Sequence, residues 1–256
     1  MLGVCMSEVR FGYTDRKILD SISFRAEQGK LLCVLGRNGV GKTTLFQLLL
    51  GSLKGYEGRI EVNGKSLEEY EEKELAKQIA YIPQSYHPAY NYTVQDMVLM
   101  RVTPSLGMFE MPGKKHVQRV EQALESVGLL HLRHQNFCHI SSGEKQMALI
   151  ARAIAQNTRI LVMDEPSSNL DFGNGVRVMK LCQKLAHQGY LIIQSTHNPQ
   201  HVFSYADEVL VLEDGKISVQ GEPAKCLDEE ILSRIYQIPT RLFCCSEFQQ
   251  KICVAL

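Results

Sequence analysis

Near the start of the chain, Val4, Met6 and Val9, then Ile18, Ile22 and Phe24, alternate with polar neighbours. A period of two belongs to strands with one wet face, and turns are expected at Gly12 and around Gln28 and Gly29. The pattern then changes. Leu31, Leu32, Cys33, Val34 and Leu35 form an unbroken apolar run, the mark of a strand covered on both faces in a parallel sheet. A glycine-rich segment follows it, and residues 44–50 read as a helix closed by Gly51. Residues 58–62 give a further strand, with Asn63-Gly64 as its turn. From Ser85 to about Thr158 the spacing becomes three and four, predicting helices over 94–101, 115–127 and 141–155. Short apolar runs return at 160–163, 190–194 and 209–212, with a helix over 176–187 between the first two. Strands that alternate with helices imply a parallel α/β core. The last stretch predicts a helix over 228–236 and assigns nothing to the tail beyond it.

Composition narrows the function. Across 256 residues, 45% are hydrophobic and 22% charged, the balance of a soluble globular chain able to bury one large core or two small ones. Lys plus Arg and Asp plus Glu both number 28, which argues against a nucleic-acid partner. No apolar run approaches the roughly 18 residues of a membrane span. Glu8 and Arg10 arrive too early for a secretory leader, so a cytoplasmic chain is expected. The eight cysteines show no C-x-x-C spacing, and most are expected to be buried reduced thiols, with adjacent Cys244 and Cys245 set apart. The histidines other than His197 do not cluster at metal-ligand spacings, and solvated or capping roles are expected of them.

Chemistry enters at Gly36-Arg37-Asn38-Gly39-Val40-Gly41-Lys42-Thr43, which fits G-x-x-x-x-G-K-[ST] between a predicted strand and a predicted helix. In that context glycines let backbone N–H groups turn onto phosphate oxygens, and the helix N-terminus adds the positive end of its dipole. Lys42 would reach β and γ phosphates and Thr43 would hold Mg²⁺. The bland alternative is an ordinary glycine turn. Farther along, the apolar run 160–163 ends in Asp164 and Glu165, one carboxylate for a metal shell and one to deprotonate or orient water.

Between these two, Ile140-Ser141-Ser142-Gly143-Glu144 opens a helix and resembles the L-S-G-G-Q signature of ATP-binding cassette (ABC) proteins. Other elements of that family can be matched in its order over about residues 4 to 222. Tyr13 stands where the family stacks an aromatic on adenine, Gln84 of Tyr81-Ile82-Pro83-Gln84 matches the glutamine loop, Ser167-Ser168-Asn169-Leu170-Asp171 the D-loop, and His197 the switch histidine. The resemblance implies an α/β phosphate-loop ATPase fold. It would have a RecA-like core with an N-terminal antiparallel β subdomain over 1–84 and 159–222, a helical subdomain over 85–158, and an extension over 223–256. It implies ATP held by Tyr13, Gly36, Asn38, Gly39, Gly41, Lys42, Thr43, Thr44, Ser141, Gly143 and Asp171, with Mg²⁺ on Thr43, Gln84 and Asp164. Glu165, His197 and Gln84 would carry the hydrolysis. In the family the serine-led helix tip serves the opposite subunit, so two copies would sandwich two ATP molecules head to tail. Ser142 departs from the family's usual glycine and adds a Cβ there. Plainer readings stand beside these: Tyr13 as cover for a sheet edge, Gln84 as a loop residue, His197 as a hydrogen-bonded strand-end histidine.

A second resemblance concerns substrate. Thr93-Val94-Gln95-Asp96-Met97-Val98-Leu99-Met100, then Thr103-Pro104, is similar to the T-V-x-D-x-V-x-x-G-R-x-P stretch of importers for iron chelates, haem and cobalamin, though no glycine precedes Arg101. It implies an importer ATPase on the cytoplasmic side of the inner membrane. Its partners would be a separate integral permease and, through that, a substrate-binding protein. Met97, Met100, Met108 and Met111 are either helix packing or a groove gripping a partner's helix. The competing readings are a soluble cassette ATPase, an importer for molybdate or tungstate, a small-molecule kinase, and a nucleotide-binding structural module.

Overall fold

The computed structural model describes residues 3–14, 16–86, 88–102, 113–245 and 250–256. Strands β1 (Gly3–Tyr13) and β2 (Arg16–Glu27) pair antiparallel, as their period of two requires. β3 (Leu31–Leu35) is buried at every position. A loop then leads into α1 (Lys42–Leu49), and β4 (Glu57–Val62) and β5 (Lys65–Ser66) complete a four-stranded sheet in the order β2-β1-β4-β5. After the short α2 (Glu72–Leu75) comes β6 (Ile79–Ile82). Three helices follow: α3 (Val94–Leu99), α4 (Lys114–Ser126) and α5 (Ser142–Ala155). Then come β7 (Ile160–Met163), α6 (Phe172–His187), β8 (Leu191–Thr196), α7 (Pro199–Tyr205), β9 (Glu208–Glu213) and β10 (Lys216–Gly221). The chain closes with α8 (Pro223–Cys226), α9 (Glu229–Tyr236) and the hairpin β11 (Thr240–Cys245) and β12 (Gln250–Ala255).

The larger sheet runs β10-β9-β3-β8-β7-β6, parallel except for β10 at its edge. Its strands divide their side chains between two cores. Leu31, Cys33 and Leu35 face the core shared with α3, α4, α5 and α6, whereas Leu32 and Val34 face the antiparallel sheet and α1. The same alternation holds for Leu161 and Met163 against Ile160 and Val162. Central strands are therefore apolar on every residue because both faces are covered.

Several elements escaped the sequence reading. β6 has four residues, β10 is an edge strand whose exposure alternates without an apolar run, and the C-terminal hairpin is set by cross-strand pairing such as Phe243 with Ile252. Met97 is buried in the core, so the packing reading holds for it, and Met100 is half-buried against the same core. Met108, Met111, Thr103, Pro104 and His87 lie outside the described residues. The expectation that most cysteines are buried fails: Cys33 and Cys182 are, Cys5, Cys226 and Cys253 are only half-buried, and Cys138 is exposed because it lies in a short surface turn; Cys244, set apart from the others in sequence, is exposed as well. Burial pushes the Cys33 and Cys182 thiols up to about 12. Among the described residues no helix is long and apolar enough to cross a membrane.

Candidate active site

In a parallel sheet the strands deliver their C-terminal ends to one edge, and the loops leaving that edge converge. Here β3, β6, β7 and β8 bring together the loop after Leu35, Gln84, the Asp164-Glu165 pair and His197. The loop after β3 is fixed by two glycines in particular. A Cβ on Gly36 would stand 2.5 Å from the carbonyl oxygen of Leu212, and Gly41 caps α1 at φ 109°, where side chains are strained. No side chain caps α1, so its first N–H groups are left for an anion.

A cleft of about 350 Å³ opens over this loop. Asn38, Gly39, Gly41, Lys42, Thr43, Thr44, Gln84, Asp164 and Glu165 line it, with Arg16 and Ile18 from β2. Lys42 is 6% exposed, and its Nζ donates to the carbonyls of Gly36 (2.7 Å) and Arg37 (3.0 Å) and lies 3.9 Å from Glu165 Oε1. Burial lowers the Lys42 pKa, opposed by the charges of Glu165 and Asp164.

Asp164 is 9% exposed. Its Oδ2 accepts the Thr43 hydroxyl at 2.9 Å and its Oδ1 the Ser195 hydroxyl at 2.5 Å. A carboxylate facing a hydroxyl, with the Gln84 amide on the same cleft, is a set of hard oxygen donors that fits Mg²⁺. Glu165 adopts φ 44°, a left-handed backbone that residues other than glycine rarely adopt. Its carboxylate meets His197 Nδ1 at 3.2 Å through Oε1 and accepts Gln84 Nε2 at 3.3 Å through Oε2.

Glu165 also lines a second cleft of about 260 Å³, together with Ser168, Asp171, His197 and His201. Asp171 caps α6, and the backbone and side-chain N–H groups of Asn174 hold its carboxyl below the usual carboxylate range. His201 lies with Nδ1 3.3 Å from the Ser167 hydroxyl. Burial, and to a lesser degree His197, holds its imidazole below the ordinary 6.5. The folded chain thus keeps His201 neutral where the unfolded chain protonates it. Its contribution to stability is full above about 6.5 and lost as pH falls below that value. Urea unfolding should show a midpoint that drops between about pH 8 and pH 5.5, and His201→Gln should flatten that drop.

Three predicted residues outside the glycine loop line neither cleft. Tyr13 is exposed at the end of β1, edge-on to Phe11 at 5.1 Å between centroids, with its hydroxyl 3.5 Å from Gln47 Oε1 on α1. Ser141 and Gly143 line neither cleft. Ser141 caps α5 in a reciprocal box, donating its hydroxyl to Glu144 Oε2 at 2.7 Å, and these bonds hold the Glu144 carboxyl below its usual value. A Cβ on Gly143 would meet the Asn174 side chain at 2.5 Å, so glycine is needed here for packing on α6. Sequence reasoning gave no separate role to Ser195, which touches both acidic residues, or to Ser168, which bonds the Glu165 carbonyl at 3.0 Å and accepts Gln84 Nε2 at 3.1 Å. The available signal for Ser195 was a hydroxyl at an alternating strand position, where Leu191 and Ile193 are aliphatic.

A family model described as ABC transporter matches residues 19–168. The "Probable iron chelatin transport ATP-binding protein" of Helicobacter pylori is 34% identical over 91% of this chain and 92% of its own. The "Molybdate import ATP-binding protein MolC" of Haemophilus influenzae is 33% identical over 87% of this chain and 83% of its own. Among solved structures, a chain from an inward-facing metal-chelate type ABC transporter superposes with a TM-score of 0.88 at 31% identity, covering 100% of this chain and 97% of that one.

Proposed function

The chain belongs to the ABC transporter family as one of its ATPases, and from that premise we propose that it powers uptake of a metal chelate through a separate membrane permease. The observation that carries the chemistry is the meeting of Lys42, Thr43, Asp164, Glu165 and Gln84 in one cleft. The β and γ phosphates of ATP replace the loop carbonyls as acceptors for Lys42, and the free N–H groups of α1 take further phosphate oxygens. Thr43, Asp164 and Gln84 would hold Mg²⁺, which when bound would supply positive charge to stabilise the transferring phosphoryl group. Glu165 takes a proton from water as its oxygen attacks the γ-phosphorus, and the bond from that phosphorus to the bridging oxygen breaks to give ADP and phosphate. His197 holds the Glu165 carboxylate from the side opposite Gln84.

One chain holds half of this engine. Ser141 and Gly143 form an anion-facing helix tip that lines neither of its own clefts, and it serves the ATP of a second copy. Phe172, 89% exposed beside Asp171, is cover offered to that copy. The pair sits against the permease at the cytoplasmic side of the inner membrane, and a substrate-binding protein reaches it only through the permease. The names of the Helicobacter pylori relative and of the superposed transporter support a chelate, whereas the Haemophilus influenzae relative supports an oxyanion as the second reading. The test is ATPase activity of the assembly co-purified with its permease and reconstituted in vesicles. Ferric chelates should raise phosphate release several-fold and accumulate inside. Stimulation by molybdate alone moves the substrate to an oxyanion, and full activity with no permease removes the transport reading.

A further inference from the structure

Glu165 occupies a left-handed backbone conformation that residues other than glycine rarely adopt, and something must hold it there. Two serines clamp it. On its carbonyl side, Ser168 gives both its N–H (3.1 Å) and its hydroxyl (3.0 Å) to the Glu165 oxygen. On its amide side, the Glu165 N–H donates to Ser195 Oγ at 2.9 Å. The Ser195 hydroxyl in turn donates to Asp164 Oδ1 at 2.5 Å, leaving Oδ2 to Thr43. Ser195 is fully buried on β8, where Leu191 and Ile193 on the same face are aliphatic, so its polar group sits in a place that packing alone would fill with hydrocarbon. Its hydroxyl hydrogen goes to Asp164 and a lone pair of its oxygen to the Glu165 N–H, so both members of the acidic pair hang on one side chain.

We propose that Ser195 is a positioning residue for hydrolysis: one hydroxyl fixes the rotamer of Asp164 and the left-handed backbone of Glu165 together. The proposal rests on the assignment of Glu165 as the base and Asp164 as a metal ligand. A carboxylate that drifts by an ångström loses on the order of a hundredfold in rate while the phosphate cradle is untouched. The effect therefore falls on kcat and on the Mg²⁺ requirement, with KM for ATP spared.

Test variants are Ser195→Ala and Ser195→Thr, with Ser195→Cys, of similar volume and a weak donor, in reserve should alanine lower the yield. Phosphate release gives kcat and KM, and a fluorescent ATP analogue titrated at rising Mg²⁺ gives a binding readout that needs no turnover. Ser195→Ala should lower kcat by about tenfold to a hundredfold, hold KM within about twofold, and raise the half-saturating Mg²⁺ several-fold. Ser195→Thr should restore most of both. Wild-type kcat and Mg²⁺ dependence in the alanine variant overturn the proposal. Equal losses in alanine and threonine variants, tracking a fall in melting temperature, overturn it as well, since they reduce Ser195 to packing. Glu165→Gln run in parallel separates the layers: if it turns over normally, the assignment beneath the proposal has failed, and if it is inactive beside a fully active Ser195→Ala, only the clamp has.

Discussion

Glu165→Gln should bind ATP as tightly as the parent chain and release phosphate more slowly by about a hundredfold to ten-thousandfold, the range that a positioned general base contributes. The reason lies in what the substitution keeps. A glutamine retains the carbonyl oxygen that Gln84 Nε2 reaches at 3.3 Å and leaves the Ser195 and Ser168 bonds, which are to the backbone, unchanged. It also leaves Lys42 with its two loop carbonyls, so the phosphate cradle persists. What disappears is the basic oxygen beside His197. Binding of a fluorescent nucleotide together with phosphate release under single turnover checks both halves of the expectation. Weakened binding with normal turnover per bound nucleotide would remove Glu165 from the chemistry and leave it a structural acid.

The second large effect comes from mixing two dead chains. Lys42→Ala loses the phosphate-holding amine, and Ser141→Arg places a bulky cation at the tip of α5; each alone should be inactive. A symmetric pair shares its surfaces, so a mixed dimer joins the intact Lys42 of one copy to the intact Ser141 of the other and rebuilds one of its two sites. Equal mixing makes half the dimers mixed, and recovery of up to about a quarter of parental activity is expected. Activity should rise and fall with the mixing ratio, highest near equality. No recovery at any ratio, with both variants folded and able to form pairs, would mean that the α5 tip serves its own chain or none.

Much of the site was legible because its parts are local. A glycine loop between an apolar run and a helix, and two acids at the end of another run, are patterns a few residues long whose geometry follows from backbone sterics. Lys42, Thr43, Asp164 and Glu165 could be named before any fold was known, and the structure gathers them in one cleft. Less of the periphery could be read. β10 hides at a sheet edge where apolar residues are not required, and the hairpin of β11 and β12 owes its register to partners ten or so residues apart. Cys138 looked like a core thiol by residue type, yet type says nothing of whether a second layer covers a turn.

The sequence by itself determined the glycine loop, the acidic pair and the two apolar strands that lead into them, because a phosphate cradle and a buried parallel strand each impose their pattern on consecutive residues. Only the tertiary structure decided that Ser195, about thirty residues from Glu165, supplies the hydroxyl joining both acids, and that Gly143 is a glycine because Asn174 leaves no room for more. Such contacts depend on which strands and helices become neighbours. That choice is made by the packing of two cores across one sheet, and it leaves no fixed spacing along the chain to be read.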